Sequence, residues 1–132
     1  MDIIISQEQA RVPVTVFHPI GRINMGNIDE LTQKAQESFD SGMRDLILDL
    51  TEIPSMTSAG LRGISTIFKM LHTGSPAEAK QAASPQSTGE KRLSPHMKLL
   101  NPVPDVRKVL NISGFDTFIE IYDHKQEALR AF

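Results

Sequence analysis

The sequence contains no cysteine, a single tyrosine and few aromatic residues, which make up 5% of its 132 positions. Without cysteine there is no disulfide, no thiol nucleophile and no cysteine-ligated zinc, a composition compatible with a reducing cytoplasm. An excess of either charge is also missing. Fourteen Lys and Arg against sixteen Asp and Glu leave a formal net charge of -2. No stretch resembles a basic recognition helix or stripe, so direct binding of nucleic acid is not expected. No apolar run approaches the roughly 20 residues that span a bilayer, so no membrane insertion is expected either. The opening Met1-Asp2-Ile3-Ile4-Ile5-Ser6 lacks the positive flank and long apolar core of a secretion signal. The expectation is a soluble, cytoplasmic protein.

Recognisable catalytic patterns are absent as well. The four histidines, His18, His72, His96 and His124, are scattered without ligand spacing and read as surface or capping residues. No carboxylate pair, Ser-His-Asp set or metal cluster stands out, and Gly60-Leu61-Arg62-Gly63 is too short for a phosphate-binding loop. Neither an enzyme nor a resident cofactor is expected.

What is present is an ordinary globular composition, 39% hydrophobic and 23% charged. The length suits one domain over residues 1–132, able to bury about two thirds of its unfolded surface. Ile3 to Ser6 and the alternating Val12 to His18 read as two strands of an opening hairpin, with Pro13 at a strand start or edge. Gly21 to Gly26 reads as a loop. Asn27 followed by Glu30 then resembles a capping box, opening a helix that carries Ile28, Leu31, Ala35 and Phe39 and stops at Gly42. Leu46 to Leu50 is nearly all apolar, as in a strand covered on both faces. From Leu61 the apolar spacing changes to three and four, the period of a helix running through Ile64, Ile67, Phe68 and Leu71.

Thr73 to Pro95 is small, polar or proline apart from Leu93, too poor in apolar groups to offset its ordering entropy, and reads as a flexible insertion. A strand at Met97 to Leu100 follows. Pro104 then opens a helix closed by Gly114, and Phe118, Ile119 and Ile121 form a last strand. Asp123 is placed as the cap of a final helix whose Ala128 and Leu129 pack back, together with Phe132. Strands alternating with helices after a hairpin predict an α/β domain with a mostly parallel sheet packed against helices. In such folds partners meet the loops at the carboxyl ends of strands. Two loops, Gly21 to Asn27 and Ile53 to Ala59, should therefore share one rim.

At that rim Thr57 and Ser58 precede Ala59 and Gly60 at a helix start. Unpaired N–H groups and a partial positive charge there favour a capping hydroxyl or a phosphate. The hydroxyl pair reads either as a cap or as a regulatory surface. The wider pattern, Leu48-Asp49-Leu50-Thr51, a short loop, Met56-Thr57-Ser58-Ala59-Gly60-Leu61-Arg62 and an amphipathic helix, resembles the core motif of the STAS family, which includes bacterial anti-sigma factor antagonists. The Gly21-Arg22-Ile23-Asn24 turn, the Asn101 to Leu110 segment and the Glu127-Ala128-Leu129-Arg130-Ala131-Phe132 tail agree with it.

The resemblance implies a STAS fold and a module that binds an anti-sigma factor which is also a serine kinase of the GHKL type. It also implies a phosphorylation switch at the helix start, reversed by a serine phosphatase. The family's phosphorylated motif resembles Asp-Ser-Ser-Gly or Asp-Ser-Thr-Gly. Here the acceptor position is Ala59, the acidic position is Thr57, and a second acidic position is Asn24, so the resemblance leaves two forms open: an antagonist without the usual switch, or one modified at the neighbouring Ser58 or Thr57. The implied contact surface comprises Asn24, Met25, Met56, Thr57, Ser58, Ala59, Gly60 and Arg62. The alternative is a STAS domain that binds a nucleotide or lipid, or serves as a soluble subunit of a membrane transporter.

Overall fold

Alternation of apolar residues places the strand side chains on two sides of one sheet, and each side recruits its own helices. The computed structural model describes residues 2–72 and 94–132. The elements are β1 (Asp2–Gln9), β2 (Pro13–Ile20), α1 (Ile28–Asp40), β3 (Leu46–Asp49), α2 (Ser58–His72), β4 (Met97–Leu100), α3 (Pro104–Ile112), a short 3-10 turn (Phe115–Thr117), β5 (Glu120–Tyr122) and α4 (Lys125–Arg130). The five strands lie in the order β1-β2-β3-β4-β5. β1 is antiparallel to β2, and every later pair is parallel. The hairpin and mostly parallel sheet expected from the sequence are both present. Among the described residues no helix is long and apolar enough to cross a membrane.

Phe17, Leu46, Leu48, Met97 and Leu99 join Leu31 and Ala35 of α1, Ile64, Ile67, Phe68 and Leu71 of α2, and Val106 and Leu110 of α3 in the larger core. On the opposite face Val14, Val16, Ile47 and Leu100 pack with Ala128 and Leu129 of α4. Helix α1 ends as its Gly requires. Gly42 takes φ +117, its N–H bonds the Phe39 carbonyl, and the next N–H, from Met43, reaches back to Ser38.

Several local expectations are corrected. Asn27 makes no side-chain cap on α1; its Oδ1 accepts the Asn24 N–H instead, at 2.9 Å. Asp123 does not cap α4, whose N-cap is His124, because its carboxylate is drawn to Arg107. The last strand starts at Glu120, since the Phe118 N–H turns back to Phe115. Most of the stretch read as a flexible insertion lies outside the described residues, but its end does not.

Ser94 is 2% exposed. Its Oγ accepts the N–H groups of His96 and Met97, each at 3.1 Å, and lies 2.7 Å from His72 Nε2. With two donors on the oxygen, its own proton is left for the imidazole. His72 is buried and stacks on Phe68 at 4.2 Å between ring centroids, so it is neither a surface nor a capping residue. His96 Nδ1 sits 3.1 Å from Asp45 Oδ1. Ser94→Ala removes the hydroxyl that accepts two backbone N–H groups and meets a buried imidazole, and should cost about 1–3 kcal/mol. Urea unfolding checks this: an unchanged midpoint would show the hydroxyl to be dispensable.

Candidate functional site

Two strand-to-helix loops meet at the carboxyl ends of β2 and β3. The Gly21 N–H bonds the Glu52 carbonyl at 3.1 Å, Ile23 forms an isolated parallel bridge with Met56, and Thr57 donates both its N–H (3.4 Å) and its hydroxyl (3.3 Å) to the Ile23 carbonyl. The first loop is also laced internally. Asn27 Nδ2 donates to the Arg22 carbonyl at 2.7 Å, and Asn24 Oδ1 accepts the Gly26 N–H at 2.8 Å. The expected shared rim exists, and its backbone is held by hydrogen bonds from both sides.

Glycine lets α2 press against this pair of loops. A Cβ on Gly60 would lie 2.6 Å from Met56 Cγ and 3.0 Å from Ile23 Cγ2, and one on Gly63 would lie 2.1 Å from Ile28 Cδ1. Only residues without a side chain allow this approach. The hydrogen-bonded loops and the close contact set where the first turn of α2 projects.

Of the residues assigned to a contact surface, Asn24, Met25, Thr57, Ser58 and Arg62 are exposed, Met25 at 80%. Met56 (8%), Ala59 (7%) and Gly60 are buried. Sequence reasoning treated Met25 and Met56 alike; the structure turns one outward and packs the other under Ile23 in the larger core. The Met56 and Ala59 side chains, with the bare backbone of Gly60, support the rim from beneath. Thr57 is tied to Ile23, while Ser58 stands at the first position of α2, whose first turn carries no acidic residue. The partial positive charge of the helix start therefore faces solvent without a neutralising carboxylate from its own first turn.

Sequence reasoning missed the part played by Ile23, whose carbonyl accepts twice from Thr57 while its side chain is fully buried. Its place in an apparent loop hid it, although an Ile between Arg22 and Asn24 is itself a sign of burial. Asp49 closes β3. Its Oδ1 accepts the N–H and hydroxyl of Thr51 at 3.0 and 2.5 Å, its Oδ2 lies 3.3 Å from His18 Nδ1, and Asn101 reaches Thr51 Oγ1 at 3.2 Å. These bonds tie the ends of β2, β3 and β4 together.

A family model described as the STAS domain matches residues 4–75. A Bordetella bronchiseptica protein named "Putative anti-sigma factor antagonist BtrV" is 29% identical over 112 residues, covering 85% of this chain and 80% of its own. An anti-sigma factor antagonist from Mycobacterium paratuberculosis superposes with a TM-score of 0.69 at 18% identity, over 98% of this chain and 93% of that one. The Bacillus cell fate determinant SpoIIAA in its phosphorylated form matches with a TM-score of 0.56 at 16% identity, covering 96% of each chain. At such identities the structural matches speak for the fold.

Proposed function

Because the chain belongs to the STAS domain family, we propose that it is a cytoplasmic anti-sigma factor antagonist, one domain in extent, that acts by binding and not by catalysis. Its partner is an anti-sigma factor of the GHKL serine-kinase type, which docks on the rim of Asn24, Met25, Thr57, Ser58 and Arg62. One observation carries this reading. Exposed polar and thioether side chains surround an exposed helix start, on a backbone cross-linked from two loops. A preorganised surface loses little entropy on docking, and Met25 adds an adaptable apolar contact. The relative from Bordetella and the shared fold support the same assignment.

Control by phosphate is the second part of this proposal. With Ala59 at the position that resembles the family's acceptor, Ser58 is the accessible hydroxyl at the helix start and Thr57 the alternative beside it. A phosphate there brings about -1.5 to -2 charges. The helix dipole stabilises them by roughly 0.3–1 kcal/mol, so the fold tolerates the group. In a desolvated interface an unmatched ion costs several kcal/mol. The second effect is larger, so modification releases the partner without unfolding the domain, and a serine phosphatase would restore binding.

Ser58→Asp and Met25→Asp should each weaken binding of a GHKL-type kinase partner at least tenfold, about 1.4 kcal/mol. Both should keep the wild-type melting temperature, because both positions are exposed. Titration calorimetry alongside thermal melts provides the check, and equal binding by both variants rejects the rim. Incubation with the kinase and ATP should label Ser58 or Thr57. Phosphate mapped to residues 73–93 instead would overturn the acceptor assignment.

A further inference from the structure

Five large hydrophobic side chains are exposed among the described residues, and three of them, Ile4 (56%), Ile5 (40%) and Ile20 (40%), lie on the β1–β2 hairpin. Among the described residues β1 is an edge strand, paired with β2 alone. Its register with β2 is unbroken from Asp2 opposite Ile20 to Gln9 opposite Pro13. Soluble proteins guard such edges with charged side chains, Lys above all, with Pro, or with a bulge. Of the eight residues Asp2-Ile3-Ile4-Ile5-Ser6-Gln7-Glu8-Gln9, the two charged ones, Asp2 and Glu8, stand towards the ends, none is Lys or Pro, and the register shows no bulge.

We infer that β1 is the interface of a two-fold homodimer, in which the edge strands of two copies pair antiparallel about Ile4. In that register Ile4 faces the partner copy's Ile4, Ile3 faces its Ile5, and Asp2 faces its Ser6. All three isoleucines of each copy are then covered. Ile20, diagonal to Ile4 on the same side of the hairpin, extends the strip on that face.

Charge on α1 fits the same axis. α1 returns the chain from β2 to the parallel β3, so it runs alongside β1, and a groove separates the two. Its two compartments, about 660 and 400 Å³, place Ile5 and Gln7 in one and Asp2 and Ile3 in the other. Lys34 and Glu37 line both compartments and are therefore level with Ile4. Their side chains are 54% and 57% exposed and face each other within the chain at 3.8 Å, a loose pair that a second copy's charges can join. A two-fold axis at Ile4 sets the two α1 helices antiparallel, with each Lys34 across from the other copy's Glu37. A second copy thus matches the edge in apolar register and in charge, and the closed pair leaves neither β1 edge open.

Sedimentation equilibrium of the full chain from about 5 to about 500 μM brackets the affinity of a small interface. A monomer-to-dimer transition is expected. Ile4→Lys should weaken it at least tenfold while keeping the monomer's melting temperature. Lys34→Glu should weaken it too, and adding Glu37→Lys should restore it, which fixes the register in a way that lost packing could not. A monomer at every concentration overturns the inference. So does a dimer indifferent to Ile4→Lys, or a ladder of larger species from open edge-to-edge growth.

Discussion

Glu120→Ala should be among the most damaging single changes in this chain, costing about 3–5 kcal/mol in urea unfolding at neutral pH. Lys98 lies in the middle of the sheet, 1% exposed, with Nζ 2.8 Å from Glu120 Oε1. The Phe132 and Tyr122 rings lie 4.9 and 5.9 Å from the same ammonium, and Tyr122 donates its hydroxyl to Glu120 Oε2 at 2.5 Å. Removing the carboxylate strands a buried cation. Removing the cation is milder, because the Glu120 side chain keeps 30% exposure and can hydrate. Lys98→Met should therefore cost less than Glu120→Ala, and Lys98→Met with Glu120→Gln should recover most of the loss. Equal costs for the two single variants would show that burial does not set the asymmetry.

The cluster also dictates a pH dependence. Burial pushes the Glu120 carboxyl up, but the Lys98 and Tyr122 hydrogen bonds and the Lys98 charge outweigh it and hold it below its ordinary value. Its stabilising contribution is present above the unfolded value of about 4.3 and is lost as pH falls through the lower folded one. Tyr122 is pushed up to about 12, by burial first and then by its hydrogen bond to Glu120 and the charges of Glu120 and Glu127. Its contribution holds below about pH 10 and disappears as pH rises towards about 12. Between these windows the cluster's contribution should be flat, and the Lys98→Met, Glu120→Gln pair should erase the acid limb.

Met56→Asp should lower stability by several kcal/mol, through an unpaired carboxylate in the larger core. Met25→Asp, at 80% exposure, should change it by no more than about 0.5 kcal/mol. The pair separates support from contact at the rim. Met25→Asp impairs binding by a folded protein, whereas Met56→Asp impairs whatever depends on the fold. A Met56→Asp protein that melts like wild type would mean that Ile23 and Met56 do not lock the loops.

Much of the architecture is legible locally. The change from the apolar run Leu46–Leu50 to the three-and-four spacing after Leu61 marks β3 and α2, and Gly42 and Gly114 mark helix ends at positive φ. These signals depend on backbone freedom and apolar period, which a residue's near neighbours in sequence determine. The site was legible at coarser grain: the rim and the exposed hydroxyl pair were readable, the orientation of individual side chains was not. Asn27 and Glu30 have capping-box spacing, yet Asn27 has a closer competitor in Asn24. Asp123 is drawn to Arg107, and His72 goes inside because Ser94, far along the chain, meets its ring nitrogen.

The sequence by itself determined the family, the hairpin with its alternating strands and helices, and the position of a hydroxyl-bearing helix start. Tertiary structure alone decided which methionine faces water, that Ile23 ties the two loops, and that a lysine can lie buried in β4. The reason is physical. Period and turn chemistry are set within a few residues, whereas the partner that satisfies a polar group, or the surface that covers an apolar one, is chosen among elements that meet only when the chain folds.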